Sequence, residues 1–448
     1  MRQLTSKRDF MINRKALIGI PPSTMLSLML SVFTVSMGYG IILPQLPYVI
    51  ERLLGASGDA VRVSSATGLL TGIYTLSLFL FATFWGHLSD RLGRRLILLI
   101  GLIGFSATML TFAFVENLSA VYAERFLSGM FAAAVTPVAL AAIGDLAATE
   151  EVRARRLTFV SLAGISGFLL GPMLGVFLTR RGPNWIAFLN AVGSLKVPLA
   201  ATAILSLLAA VGVCFTVAGR RPAEVAGHNI LPAVKPAARP VPKLLTISFI
   251  VSAGVGVFEV GLALRGKQEL GLTQYQIASM FTLCSLVMFI VQALVFSPWI
   301  KPETTRWFIA PALIVLAVGL FLVPRASNFM LMLFVIGAVA ASAGILSPII
   351  TYWISSTAGK AQGAELGKQT AAASVGAAIG SAAGGFLFNV AGLPGASFLL
   401  VTALTALGVL LSLGLPKILE TEKLSALSEK IAAAAVIPSS ILTHDTTI

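Results

Sequence analysis

The chain has 448 residues, of which 57% are apolar and only 11% are Asp, Glu, Lys or Arg, about half the charged share of an ordinary soluble domain. With a mean hydropathy of +0.92 over the whole length, a soluble globular fold is excluded, because most of the chain needs an apolar solvent outside it as well as an apolar core. A net charge of +14 would fit a nucleic-acid binder only with a basic face on a water-soluble domain, and no such domain is visible. Cys214 and Cys284 sit in apolar stretches and His87, His228 and His444 are scattered. That pattern supports neither a disulfide framework nor a metal site, and no cofactor is expected.

Runs long enough to cross about 30 Å of hydrocarbon at ~1.5 Å per residue fall at 24–47, 64–85, 96–114, 118–145, 157–179, 198–218, 244–264, 274–297, 307–324, 329–354, 369–390 and 397–415. They predict an all-α polytopic membrane protein with twelve transmembrane helices. A polar leader, 1–23, precedes the first run, which is too long and too deep in the chain for a cleaved signal peptide. Of the 32 basic residues, 23 fall in the leader, the tail and the loops after spans 2, 4, 6, 8 and 10, against 8 on the opposite side. Basic loops are retained in the cytoplasm, so both termini are expected there.

The stretch 219–243, with Arg220, Arg221, Lys235, Pro236, Arg239, Pro240 and Pro242, is the only long polar, Pro-rich segment between spans. It reads as a cytoplasmic linker between an N-terminal six-helix bundle, 24–218, and a C-terminal one, 244–415, followed by a cytoplasmic tail, 416–448. The halves resemble each other. Gly167-x-x-x-Gly171-Pro172-x-x-Gly175 in span 5 returns as Gly376-x-x-x-Gly380-Ser381-x-x-Gly384 in span 11, 209 residues on. Gly129 with Ala132, Ala133 and Ala134 in span 4 returns as Gly337 with Ala340, Ala341 and Ser342 in span 10, 208 residues on. Small residues are common at any close helix contact, but the shared offset favours a duplicated, pseudo-symmetric pair of bundles, as in transporters that rock one half against the other.

Between spans 2 and 3 lies Gly86-His87-Leu88-Ser89-Asp90-Arg91-Leu92-Gly93-Arg94-Arg95. Glycine permits a tight reversal, and Asp90 with the guanidiniums can make charge-assisted contacts to neighbouring helix ends. This pattern of glycine, Asp-Arg, then Gly-Arg-Arg closely resembles the signature of the major facilitator superfamily. Three further pieces resemble its drug:proton antiporter branch: the paired prolines of Leu43-Pro44-Gln45-Leu46-Pro47 ending span 1; Arg125-Phe126-Leu127-Ser128-Gly129, with Ser128 where the family has Gln; and the glycine-proline element of span 5. The matching turn of the second half, Ser297 to Glu303, has no Asp-Arg pair. The resemblance implies the major facilitator fold and a bacterial cytoplasmic (inner) membrane. It also implies gating roles for Gly86, Asp90, Arg91, Gly93, Arg94 and Asp145, and an antiporter role for Gly167, Gly171, Pro172 and Gly175.

Ionisable groups inside spans are costly and therefore functional candidates. Glu259 falls in the outer third of span 7, where a carboxylate can hold a proton when shut from water and release it when opened; the alternative is a vestibule group paired with Arg265 or Lys267. Arg125, Gly129, Ala132 and Thr136 share one helical face whose small residues leave room beside the guanidinium. The resemblance gives Arg125 a part in proton coupling, and a structural pair with Glu124 or Glu259 is the alternative. Asp145, 20 residues on, points about 200° away on a continuous helix, toward the Asp90 turn, and the start of span 11 would favour Asp90 through its dipole. Candidate substrate contacts in helices 1, 4, 7 and 10, which the resemblance points to, are Ser36, Tyr39, Thr136, Ser252, Ser347 and Thr351, although each also fits a helix-helix hydrogen bond.

These features predict a transporter exporting a small, amphipathic or drug-like organic molecule in exchange for protons, with the lipid bilayer as its other partner. An importer or symporter on the same fold, or a transporter-like sensor or assembly protein, are the alternatives. An enzyme is not expected, because the sequence has no clustered catalytic set and no phosphate-cradling loop.

Overall fold

The computed structural model describes residues 21–55, 59–146, 150–180, 196–219, 240–295, 297, 300, 302–357 and 362–421. These residues are helical apart from connecting turns. Most of the expected linker and tail, 220–239 and 422–448, lie outside them. The helices of the first half are α1 (Pro22–Ile42), α2 (Leu46–Leu54), α3 (Ala60–Leu92), α4 (Arg94–Phe114), α5 (Leu118–Ala132), α6 (Thr136–Leu146), α7 (Glu150–Arg180) and α8 (Lys196–Thr216). Those of the second are α9 (Pro240–Leu264), α10 (Gln274–Val295), α11 (Ile309–Leu322), α12 (Phe329–Thr357), α13 (Gln362–Phe386) and α14 (Ala396–Ser412). A 3-10 turn over Leu43–Gln45 joins α1 to α2 as one span, and α9 runs on through a π turn, Arg265–Glu269.

Ten helical spans among the described residues are long and apolar enough to cross a membrane, and an eleventh if α14 and Leu415–Thr421, bent by 43°, count as one. The element expected as span 11 is α13. It has 25 residues, but its Ala, Gly and Ser content, with Glu365, Lys368 and Gln369, keeps it below that apolarity. Its main neighbours are other helices, α9 and α3, so it needs small side chains more than lipid-soluble ones.

The duplication is visible in the packing. A Cβ placed on Gly167 or Gly171 would lie 2.2 Å from the carbonyl oxygen of Phe33 or 2.6 Å from that of Met37; on Gly376 or Gly380 it would lie 2.4 Å from that of Phe249 or 2.2 Å from that of Ala253. Gly175 and Gly384 continue the series against Ile41 and Val257. The α7 glycines on α1 are thus repeated by the α13 glycines on α9, with every partner 216 residues further on. The second expected correspondence does not extend to packing. Gly129 presses on Tyr74, whereas a Cβ on Gly337 would meet open space.

Two local expectations are corrected. Span 4 is one span, Leu118–Leu146, as expected, but its helix is interrupted: residues 133–135 form a turn between α5 and α6, closed by Ala134 N–H to Phe131 O (3.1 Å) and Val135 N–H to Ala132 O (3.0 Å). Pro137 has no N–H for the Ala133 carbonyl, so the regular ladder fails there, and angles counted from Arg125 to Thr136 or Asp145 do not carry across the break. The turn after span 2 is also shorter than expected. Helix α3 runs through Gly86 to Leu92, and the reversal is made by Gly93 alone at φ 96°, a conformation that glycine adopts without strain. Gly86 lies mid-helix with open space beside it.

Candidate functional site

At the end of the bundle where α1 begins, here called the terminal end, the Arg94 guanidinium bridges two exposed carboxylates, Asp90 at 2.6 Å and Asp145 at 2.9 Å, and donates to Ser89 Oγ. The structure therefore joins Asp145 to the Asp90 turn. Arg91 is exposed. The expected approach of Asp90 to the start of span 11 has no hydrogen bond or ion pair among the described residues: Asp90 pairs with Arg94, and Lys368 at that start pairs with Glu365.

At the opposite, distal end the two halves are tied together. Lys267 pairs with Glu51, donates to Pro47 O at 2.9 Å and lies 4.5 Å from the Tyr48 ring centroid. The Tyr48 hydroxyl donates to Leu272 O at 2.8 Å. The Asn389 amide donates to Ala60 O and Ser64 Oγ of the first half and to Gln268 Oε1 of the second.

Between these ends lies a buried polar cluster. Glu259, half-buried on α9 about 12 Å below Lys267 by helical rise, accepts a 2.8 Å hydrogen bond from the Tyr39 hydroxyl on α1. It is not paired with Arg265 or Lys267: Arg265 pairs with Glu269 and donates to Ala326 O, and Lys267 belongs to the distal tie. The Tyr39 ring stacks on Tyr74 of α3 at 5.0 Å and on Phe168 of α7 at 5.8 Å. Beyond Tyr74 sits the Arg125 guanidinium, 5.6 Å from that ring's centroid and 4.9 Å from Phe112, within cation–π reach. Arg125 and Glu124, each 2% exposed, make a bidentate pair at 2.7 and 2.8 Å. Removing either partner would strand a buried charge, at a cost of about 3–5 kcal/mol.

Tyr39, Leu43, Leu46, Thr71, Tyr74 and Arg125 border one crevice too narrow for a water-sized sphere. The room expected beside Arg125 is filled, because Gly129 brings α5 within 2.5 Å, measured to a built Cβ, of Tyr74 O. Of the polar groups proposed for substrate, Ser36 and Ser252 are half-buried on the faces that carry Tyr39 and Glu259, one and two turns toward the terminal end. Thr136 is half-buried just past the break in span 4, and Ser347 is exposed. Thr351 is engaged in a helix contact, accepting from Gln369 at 2.7 Å and donating to Ser347 O. In the glycine-proline element, Pro172 lies against Gly40, 3.2 Å from a Cβ built there.

The sequence reading missed Tyr74, Phe112 and Phe168, which read as ordinary apolar residues, and the Asn389 and Glu51 ties. Tyr74 had one available signal, being one of only six tyrosines and lying inside a span.

A family model described as Major Facilitator Superfamily matches residues 28–365 and 244–445. Multidrug resistance protein 2 of Bacillus subtilis is 27% identical over 372 residues, covering 81% of this chain and 88% of that protein. Quinolone resistance protein NorA of Staphylococcus aureus is 26% identical over 372 residues, covering 80% and 88%. Among solved structures, the human organic anion transporter MFSD10 superposes with a TM-score of 0.66 at 18% identity over 88% of this chain and 100% of that one. A D-xylose-proton symporter does so with a TM-score of 0.68 at 14% identity over 87% and 96%. At such identities these two structures speak to the fold alone.

Proposed function

We propose that this chain, which belongs to the major facilitator superfamily and is a membrane transporter rather than an enzyme, exports a small amphipathic or drug-like organic solute in exchange for protons. The observation that carries the reading is the Tyr39 to Glu259 hydrogen bond, which joins the two halves at a half-buried carboxylate beside the crevice that Arg125 borders. A carboxyl group shut from bulk water keeps its proton more readily than one opened to it. With the distal ends tied, Glu259 is shut off on that side. Releasing the tie wets it and separates it from Tyr39, which couples its proton occupancy to the movement of the halves. The terminal side is cytoplasmic in this reading, as the excess of basic residues there supports. The drug-resistance relatives named above support the solute class, and Ser36 and Ser252 lie toward the opening a solute would use.

The test is flux in proteoliposomes under an imposed pH gradient, with a panel of amphipathic fluorescent cations and anions. Gradient-driven movement in the parent, lost in Glu259→Gln and Arg125→Ala, is expected. A parent that moves none of the panel in response to the gradient overturns the reading.

A further inference from the structure

One buried ionisable group at the cluster has no part in the cycle above. Both carboxylate oxygens of Glu124 are spent on Arg125, on Nε at 2.7 Å and Nη2 at 2.8 Å. The pair is self-contained. The Ser128 hydroxyl, one turn along and fully buried, stays unpartnered and does not join it. The guanidinium's orientation is thus set by Glu124 together with the flanking rings of Tyr74 and Phe112.

We propose that Glu124 is a positioning residue of the proton-coupling site: it fixes Arg125 against Tyr74 and cancels its charge, so that Glu259 can be neutral while the halves are closed. This rests on the reading of Glu259 as the proton carrier.

Among the described residues, the ionisable groups around the cluster come from five elements: Tyr39 on α1, Tyr74 on α3, Glu124 and Arg125 on α5, Glu259 on α9, and the buried Cys284 on α10. Arg125 is the one cation in that set, and two stacked rings, Tyr74 and Tyr39, separate it from Glu259. With Glu124 ionised, the pair is neutral as seen from Glu259. Without Glu124, a bare guanidinium in a weakly screening interior would favour the ionised form of Glu259. A residue that merely braced the helices would change stability and leave proton binding where it was.

Infrared titration of the purified full-length protein separates the two roles. The carbonyl stretch of a protonated carboxylic acid is followed against pH, and the part belonging to Glu259 is defined by its loss in Glu259→Gln. In Glu124→Gln the midpoint of that band is expected to move toward acid by roughly one pH unit, the scale of one charge acting through a protein interior. Glu124→Asp, which keeps the charge, should stay with the parent. If Glu124→Gln does not assemble, Glu124→Ser makes the same test with space for water and should move the band the same way. An unchanged midpoint, or a move toward alkaline pH, overturns the role of Glu124 while leaving Glu259 as carrier. A parent with no titrating band that Glu259→Gln removes overturns both.

Discussion

In the first half, Gly167 and Gly171 of α7 lie on the backbone of Phe33 and Met37; in the second, Gly376 and Gly380 of α13 lie on that of Phe249 and Ala253. The charges do not follow this symmetry. The first half buries the Glu124–Arg125 pair completely, whereas each described ion pair within the second half, Arg265–Glu269, Arg306–Glu420 and Lys368–Glu365, keeps one partner well exposed. The second half contributes a single carboxylate to the cluster, Glu259, and meets Tyr39 of the first half with it. The two halves thus share a scaffold of close helix contacts, and the proposed proton chemistry lies at one seam between unlike partners. A carboxylate bound across that seam senses relative movement of the halves, which one held within a half would not.

The symmetric part of the comparison is broken most severely by Gly380→Ala or Gly167→Ala. Each puts a methyl group 2.2 Å from a carbonyl oxygen, and overpacking of that kind costs about 1–3 kcal/mol or more. Thermal unfolding in detergent should show a large loss for both, and none for Gly337→Ala, which has open space. A loss in one half only would mean that the packing symmetry is not energetic. The asymmetric part is tested by Tyr39→Phe, which keeps the ring stack and removes the hydroxyl. With Glu259 neutral in the closed state, a hydrogen bond between neutral groups contributes about 0.5–1.5 kcal/mol, so gradient-driven exchange should fall about twofold to tenfold while downhill exchange persists; equal exchange by both measures would remove that bond from the mechanism.

Lys267→Ala loosens the distal tie. Glu51 is 59% exposed in its side chain, so the ion pair itself is worth only about 0.2–1 kcal/mol. A cysteine replacing Thr71, which borders the crevice, should then be labelled from the distal side about twofold to fivefold faster in a background without native cysteines, and an unchanged rate would mean that the tie does not hold the halves. The smallest effect is expected from Asp145→Asn, because Asp145 is 48% exposed in its side chain. Stability should change by less than about 1 kcal/mol, and a larger loss would make the Arg94 bridge a structural element instead of a gate contact.

The architecture was legible in the sequence because it rests on run lengths and small-residue spacing, which the bilayer and close helix contacts dictate. Eleven of the expected runs coincide with apolar helices or a bent pair of them, and the twelfth, α13, differs because its neighbours are helices. Glu259 and Arg125 stood out because charges inside spans are rare. What joins them did not. Tyr74 and Phe112 act through ring faces that no spacing rule marks, and Glu124 beside Arg125 reads equally well as a local neutraliser of either side. The break in span 4 was written in Pro137, yet a proline within a span is tolerated often enough that the helix was counted straight through it.

The central claim is that proton coupling passes through Glu259 where it meets Tyr39. The most direct measurement is solute flux in proteoliposomes with and without an imposed pH gradient, comparing the parent with Glu259→Gln. The account predicts that the gradient drives solute in the parent and not in the variant, while the variant still exchanges solute down the solute's own gradient. Equal gradient-driven flux in both would contradict it.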